Sequence, residues 1–229
     1  MTSEEHENLL QQFKDKKELI KYKEAYDGMK TSFVPRLLAK ILFGMVDVIY
    51  GKKPSIKKFK VIEVVARVPY QTWEFANYLF TTNFYMNEEK AIRFASRSDF
   101  GKFAQDNETM HVVVISQIAK KECKQFWLLH TLLPIILAYI YFLISTLLYF
   151  ISSRYSYELN YLFENHAYNQ YDWFIKDHTQ KLKEKRLQSK FLSFYGRAID
   201  NQLDFFESVK NDEIIHRNRS AVEITKYKK

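Results

Sequence analysis

Between Pro35 and Tyr50 the chain reads PRLLAKILFGMVDVIY, with Arg36 and Lys40 near one end and Lys52, Lys53, Lys57, Lys58 and Lys60 beyond the other. Apolar positions recur there at helical spacing, which predicts an amphipathic helix with Pro35 near its start. Basic flanks of this kind suit a helix lying in the plane of a membrane surface, the alternative being an ordinary core helix with solvated ends. Residues 1–30 are charged and show no clear apolar face, so they are expected to form a polar tail or an exposed helix. Further along, the pattern predicts a helix from about Ser55 to Tyr85 kinked at Pro69. A third helix, capped by Asn87, runs to about Lys120, with Gly101 weakening its middle. A fourth begins near Lys124, a fifth spans about Arg154 to Lys185, a sixth about Gln188 to Ala221, and residues 222–229 form a basic tail. Phe126–Ile151 is a run of 26 residues without Asp, Glu, Lys or Arg. By length and hydropathy it could cross a bilayer.

Composition narrows the fold. The 229 residues suit one domain, and five Gly and four Pro leave few sharp reversals, so long helices with short joints are favoured over a many-stranded sheet. The expectation is an all-α fold. One cysteine, Cys123, excludes an internal disulfide and any cysteine-rich zinc or iron–sulfur site, leaving carboxylates and histidines as the available ligands. The formal charge of +8 fits anionic lipid better than nucleic acid, because the basic residues flank apolar helices and no nucleic-acid motif occurs. The opening residues MTSEEHENLL resemble neither a secretory signal nor an Arg-rich transit peptide.

Within that frame one motif recurs. Glu108-Thr109-Met110-His111 places a carboxylate and an imidazole three positions apart, about 60° apart in helical projection, so both reach one ion. Glu213-Ile214-Ile215-His216 repeats the spacing on another predicted helix. A single E-x-x-H is a weak signal, and a lone Glu on a helix is ordinarily solvated. Two such pairs together with Glu63 and Glu164, one on each of two further helices, make the ligand set of a di-iron carboxylate four-helix bundle. This set constrains the apolar run. Glu63, Glu108 and His111 precede residues 126–151, whereas Glu164, Glu213 and His216 follow them, and no other helix is long enough to return the chain across a bilayer. A common metal site therefore requires the apolar helix to lie in the interface.

VIEVVARVPY (61–70), DNETMHVVVIS (106–116), ENHAYNQYDWF (164–174) and NDEIIHRN (211–218) resemble, in order and spacing, the four metal-ligand regions of the alternative oxidases, most closely the plastid terminal oxidase branch. The resemblance implies a ferritin-like four-helix bundle with a di-iron carboxylate centre over residues 31–221, plus two additional hydrophobic helices forming a membrane-facing surface. It implies two non-haem iron ions per chain, held by Glu63, Glu108, His111, Glu164, Glu213 and His216. Asn107 and Asp212 match residues that orient the ligands in that family, and Tyr171 matches its redox tyrosine beside the irons. Ala167, Lys58 and Ile62 fall where quinol contacts are expected. The activity implied is that of a membrane-bound quinol:oxygen oxidoreductase, oxidising ubiquinol or plastoquinol and reducing O2 to water without proton pumping. The setting implied is monotopic attachment of a homodimer to a bacterial cytoplasmic or organellar inner membrane.

Three departures from the family pattern stand out. Lys58 replaces an Arg and loses the planar fork that grips an oxygen in two places. Gln170 stands where Thr is usual, and the Pro-rich connection between the fifth and sixth helices is missing. Cys123 does not match the regulatory cysteine of plant members, so no thiol-controlled dimer is expected. A di-iron quinone-ring hydroxylase or monooxygenase shares the ligand set, and a ferritin-like iron-binding membrane protein is the non-enzymatic alternative. Oxygen uptake with quinol and no hydroxylated product separates these.

Overall fold

The computed structural model describes residues 3–227, and every regular element among them is helical. In order these are α1 (Ser3–Gln12), α2 (Lys16–Glu24), α3 (Phe33–Tyr50), α4 (Ile56–Ala66), α5 (Val68–Phe84), α6 (Glu88–Glu122), α7 (Leu133–Ile151), α8 (Ser153–Glu184), α9 (Lys190–Phe194) and α10 (Gln202–Thr225). A π-helical turn, Leu128–Leu132, leads into α7. The only extended pairing among the described residues is an isolated bridge between Arg186 and Asn201. Met1, Thr2, Lys228 and Lys229, which fall in the two expected tails, lie outside the described residues. The chain forms two compact units, residues 59–156 and residues 1–58 with 157–229.

In the unit of residues 59–156, the aromatic rings of Tyr70, Trp73 and Phe100 pack edge to face or tilted, with centroids 5.0–5.9 Å apart. The Trp73 indole N–H donates to Ser156 at 2.7 Å, satisfying the one polar atom of a fully buried ring. Gly101 sits where α6 meets α5, and a Cβ there would lie 2.9 Å from the Tyr70 carbonyl oxygen. Its missing side chain therefore permits a close helix approach, a cause that the sequence pattern showed only as a weak point in the helix. The expected 55–85 helix is instead two, α4 and α5, separated at Arg67. Pro69 lacks an N–H and its ring disfavours a continuous helix behind it, so it stands in the first turn of a new helix. On α7, Tyr141, Ser145, Leu148 and Tyr149 are buried, whereas Tyr139, Leu143, Leu147 and Ile151 are exposed.

In the other unit, α1 packs on α10, and Phe13 joins a core with Tyr168, Ile214 and Ile215, flanked by Leu9, Leu10, Leu19 and Tyr22. The N-terminal stretch, read from sequence as lacking an apolar face, has one: His6, Leu9, Leu10 and Phe13 recur at i, i+3, i+4 and i+7. Arg217 on α10 is fully buried and donates to Asp27 at 2.6 Å, to Asn165 at 3.0 Å and to the Lys23 carbonyl. Asn218 donates to the Tyr22 carbonyl at 2.6 Å, so α10 also holds the segment around α2. The expected sixth helix from Gln188 begins only at Gln202. Before it, α9 ends at Gly196, whose φ of 72° reverses the chain at no steric cost. Phe33, Leu37, Ile41, Met45 and Val48 leave an exposed apolar stripe along α3.

Candidate metal centre

Within residues 59–156, α4 carries Glu63 and α6 carries Glu108 and His111, all three buried. The α6 residues fall on the stripe that also buries Ala104, Val114, Ile115 and Ile118, so the helical period that builds the core also turns the ligand atoms inward. The His111 Nδ1 lies 3.3 Å from Glu108 Oε2 and 3.5 Å from Glu63 Oε2. One ligand atom from each of the three falls within 4.8 Å of the others. Burial, and then the neighbouring Glu108 carboxylate, push the Glu63 carboxyl up to about 8. Two carboxylates this close resist joint ionisation without a compensating cation.

Residues 157–229 repeat the composition. Glu164 on α8 and Glu213 and His216 on α10 are buried, again with one ligand atom from each within 4.8 Å of the others. Asp212, the residue before Glu213, is fully buried and accepts from two sides. The His6 Nε2 approaches its Oδ1 at 2.6 Å, and Arg197 grips both oxygens, at 2.5 and 2.9 Å. Arg197 also donates to Ser208 at 2.8 Å and to Glu7 at 3.3 Å. The left-handed Gly196, together with the bond from the Arg197 N–H to the Leu192 carbonyl at 3.0 Å, ends α9 so that the guanidinium reaches α10. Burial pushes the His6 imidazole below its ordinary range, against the opposing pull of Asp212. Its ring centroid lies 5.9 Å from that of His216.

The other sequence candidates fall as follows. Asn107 is buried next to Glu108, Ala167 is buried one turn beyond Glu164, and Ile62 is half-buried on α4. Tyr171 is fully buried on α8, with its ring centroid 6.2 Å from that of Phe206. Lys58 differs from its expected role as a quinol contact. Its buried ammonium donates to Asp47 at 2.6 Å and to the carbonyls of Gly51 at 2.9 Å and Lys52 at 3.2 Å. Three N–H groups and three acceptors leave none for a ligand, so the residue ties the α3–α4 turn. Two residues were missed, His6 and Arg197. The i, i+3, i+4, i+7 stripe through His6 was a usable signal, whereas nothing local marks Arg197, which depends on the turn at Gly196.

Each triad is two carboxylates and one imidazole, free of thiolate. This oxygen–nitrogen set suits a divalent first-row metal such as iron, and the buried negative charge fits a cation of charge two. An all-helical chain with two buried carboxylate–imidazole triads, each built on an E-x-x-H helix, is a carboxylate–histidine protein equipped to hold metal. The alternative oxidase family model matches residues 3–222, and the chain belongs to that family. It is 25% identical over 221 residues to ubiquinol oxidase 4, chloroplastic/chromoplastic, of Arabidopsis thaliana, covering 86% of this chain and 57% of that protein. The chain thus spans little more than half the length of this curated relative. No solved structure matches it significantly.

Proposed function

We propose that the protein is a membrane-attached quinol:oxygen oxidoreductase that uses its two buried triads to hold two non-haem irons. The observation that carries this reading is the pair of buried triads, Glu63/Glu108/His111 and Glu164/Glu213/His216, in a chain of the alternative oxidase family. Two quinols and one O2 give two quinones and two waters, four electrons and four protons passing from quinol to oxygen. Iron, when bound, supplies oxygen binding and the storage of electrons between the two quinol oxidations.

The chain's own residues do the rest. Burial of the carboxylates excludes water and makes their ionised form costly until a cation offsets it. Asn107 and Asp212 orient the ligands beside them. Tyr171, seven positions after Glu164 and so on the same stripe of α8 two turns on, supplies a hydrogen atom from its phenol oxygen and is restored by quinol. Ala167 and Ile62 leave room for the quinol ring, which is ubiquinol or plastoquinol, the relative being named for the former. The apolar stripes of α3 and α7 attach the protein to one leaflet, where quinol dissolves. Without a membrane crossing there is no path for proton pumping.

The test is oxygen uptake by the purified, iron-loaded protein with a short-chain quinol, with and without cyanide, together with iron analysis. Uptake that resists cyanide, about two irons per chain and no hydroxylated quinone is the expected result. Hydroxylated product would assign the protein to the monooxygenases instead. Iron without quinol-dependent uptake would remove the oxidase reading.

A further inference from the structure

The N-terminal helix brings into the second triad's surroundings a side chain that belongs to none of the four motifs. His6 occupies a position in the α1 stripe where Leu9, Leu10 and Phe13 supply the other members, and it is fully buried. For packing alone, another leucine would serve better, because burying an imidazole costs free energy unless its polar atoms are used. One of the two ring nitrogens, Nε2, is used in this way. A carboxylate only accepts hydrogen bonds, so the 2.6 Å contact with Asp212 requires that His6 donate from Nε2. With Arg197 bound to both oxygens of the same carboxylate, Asp212 is held from α1 on one side and from the α9–α10 connection on the other.

Asp212 is adjacent to Glu213 and four positions before His216, hence on the same helix face as that imidazole. A rotation of α10 that moved Glu213 or His216 away from its place would have to break the His6 and Arg197 contacts together. We propose that His6 is a positioning residue of the metal centre, fixing through Asp212 the face of α10 that carries Glu213 and His216. This rests on the assignment of those two residues as iron ligands. It makes the docking of α1 part of how metal is retained.

The experiment follows release of iron from the full-length, iron-loaded protein to an excess ferrous chelator by absorbance, with helix content and thermal melting measured alongside. His6→Leu keeps the packing and removes the donor, so iron should leave about tenfold faster or more, as for loss of a partner that orients a ligand. His6→Gln places an amide nitrogen where the imidazole Nε2 stands and should stay within about threefold of the parent protein. His6→Asn, whose nitrogen is one bond too short, should behave like the leucine variant. If His6→Leu does not fold, the Gln and Asn variants, alike in polarity, decide alone. Equal release rates for Gln and Asn, or a parental rate for His6→Leu, overturn the proposal while leaving the ligand assignment standing. A parent protein that holds no iron overturns both.

Discussion

The role proposed for Tyr171 is what would separate full reduction of oxygen from oxygen activation. Reduction to water takes four electrons, more than a pair of ferrous ions readily gives, so quinol or a nearby side chain must deliver the remainder. The phenol is fully buried and lies on the Glu164 stripe of α8, and phenylalanine has almost its volume without the transferable hydrogen. Tyr171→Phe is expected to retain the fold and the iron, losing one hydroxyl interaction at about 1 kcal/mol. Quinol oxidase turnover should fall about tenfold or more, equivalent to about 1.4 kcal/mol of barrier. Iron analysis and an oxygen electrode together decide it, since intact iron with parental turnover would make Tyr171 a packing residue. At this scale the sequence marked residues that the fold buries wherever an E-x-x-H motif carried them. Glu63 is buried with Glu108 and His111 in one unit, and Glu164 with Glu213 and His216 in the other. It was not readable at Lys58, where charge and position matched a ligand contact but the three acceptors around the amine come from the fold of the α3–α4 turn.

Helix packing and helix boundaries both follow from residues whose effect depends on what lies beside them. Gly101 is the clearest case, because an alanine there has two opposing consequences. Helix propensity favours Ala over Gly by about 1 kcal/mol. Against that, the new Cβ would lie 2.9 Å from the Tyr70 carbonyl oxygen, which is backbone and cannot swing aside, and overpacking of this kind costs about 1–3 kcal/mol. The clash should therefore win, and Gly101→Ala should lower the melting temperature in a thermal scan followed by circular dichroism. A melting temperature equal to or above the parent's would show that α5 and α6 slide apart at no cost. From sequence, Gly101 read only as a weak point in a helix, since the period of α6 is visible in the chain and its neighbour on α5 is not. The same limit applied to α1, whose stripe through Leu9, Leu10 and Phe13 is short and set among charges. It also applied to α9, where Gly196 stops a helix that composition alone would have continued. Pro69 was legible as a disturbance, and the break at Arg67 is its local consequence.

For the whole molecule the question is how a segment able to cross a bilayer coexists with ligands on both sides of it in the chain. Leu128–Ile151 comprises 24 residues, strongly apolar and for the most part not buried within the protein. At 1.5 Å per residue it reaches about 36 Å, enough for a hydrocarbon core of about 30 Å. Length therefore permits a crossing, whereas the proposed metal centre argues against it, since Glu63, Glu108 and His111 precede the segment and Glu164, Glu213 and His216 follow it. Among the described residues Leu128–Ile151 alone is long and apolar enough to cross, whereas α3 has 18 residues and carries Arg36, Lys40 and Asp47, which are costly within hydrocarbon. The proposed single-sided attachment would resolve the conflict, with the exposed stripe of α7 as the apolar surface while its Tyr141 and Tyr149 face remains buried in protein. The prediction is that detergent is needed for extraction, and that cysteines introduced at Lys124 and Arg154, in a Cys123→Ser background, react with an impermeant reagent from the same side of sealed vesicles. Labels on opposite faces would place the two triads in different compartments, and a single centre drawing on both would then be impossible whatever the family.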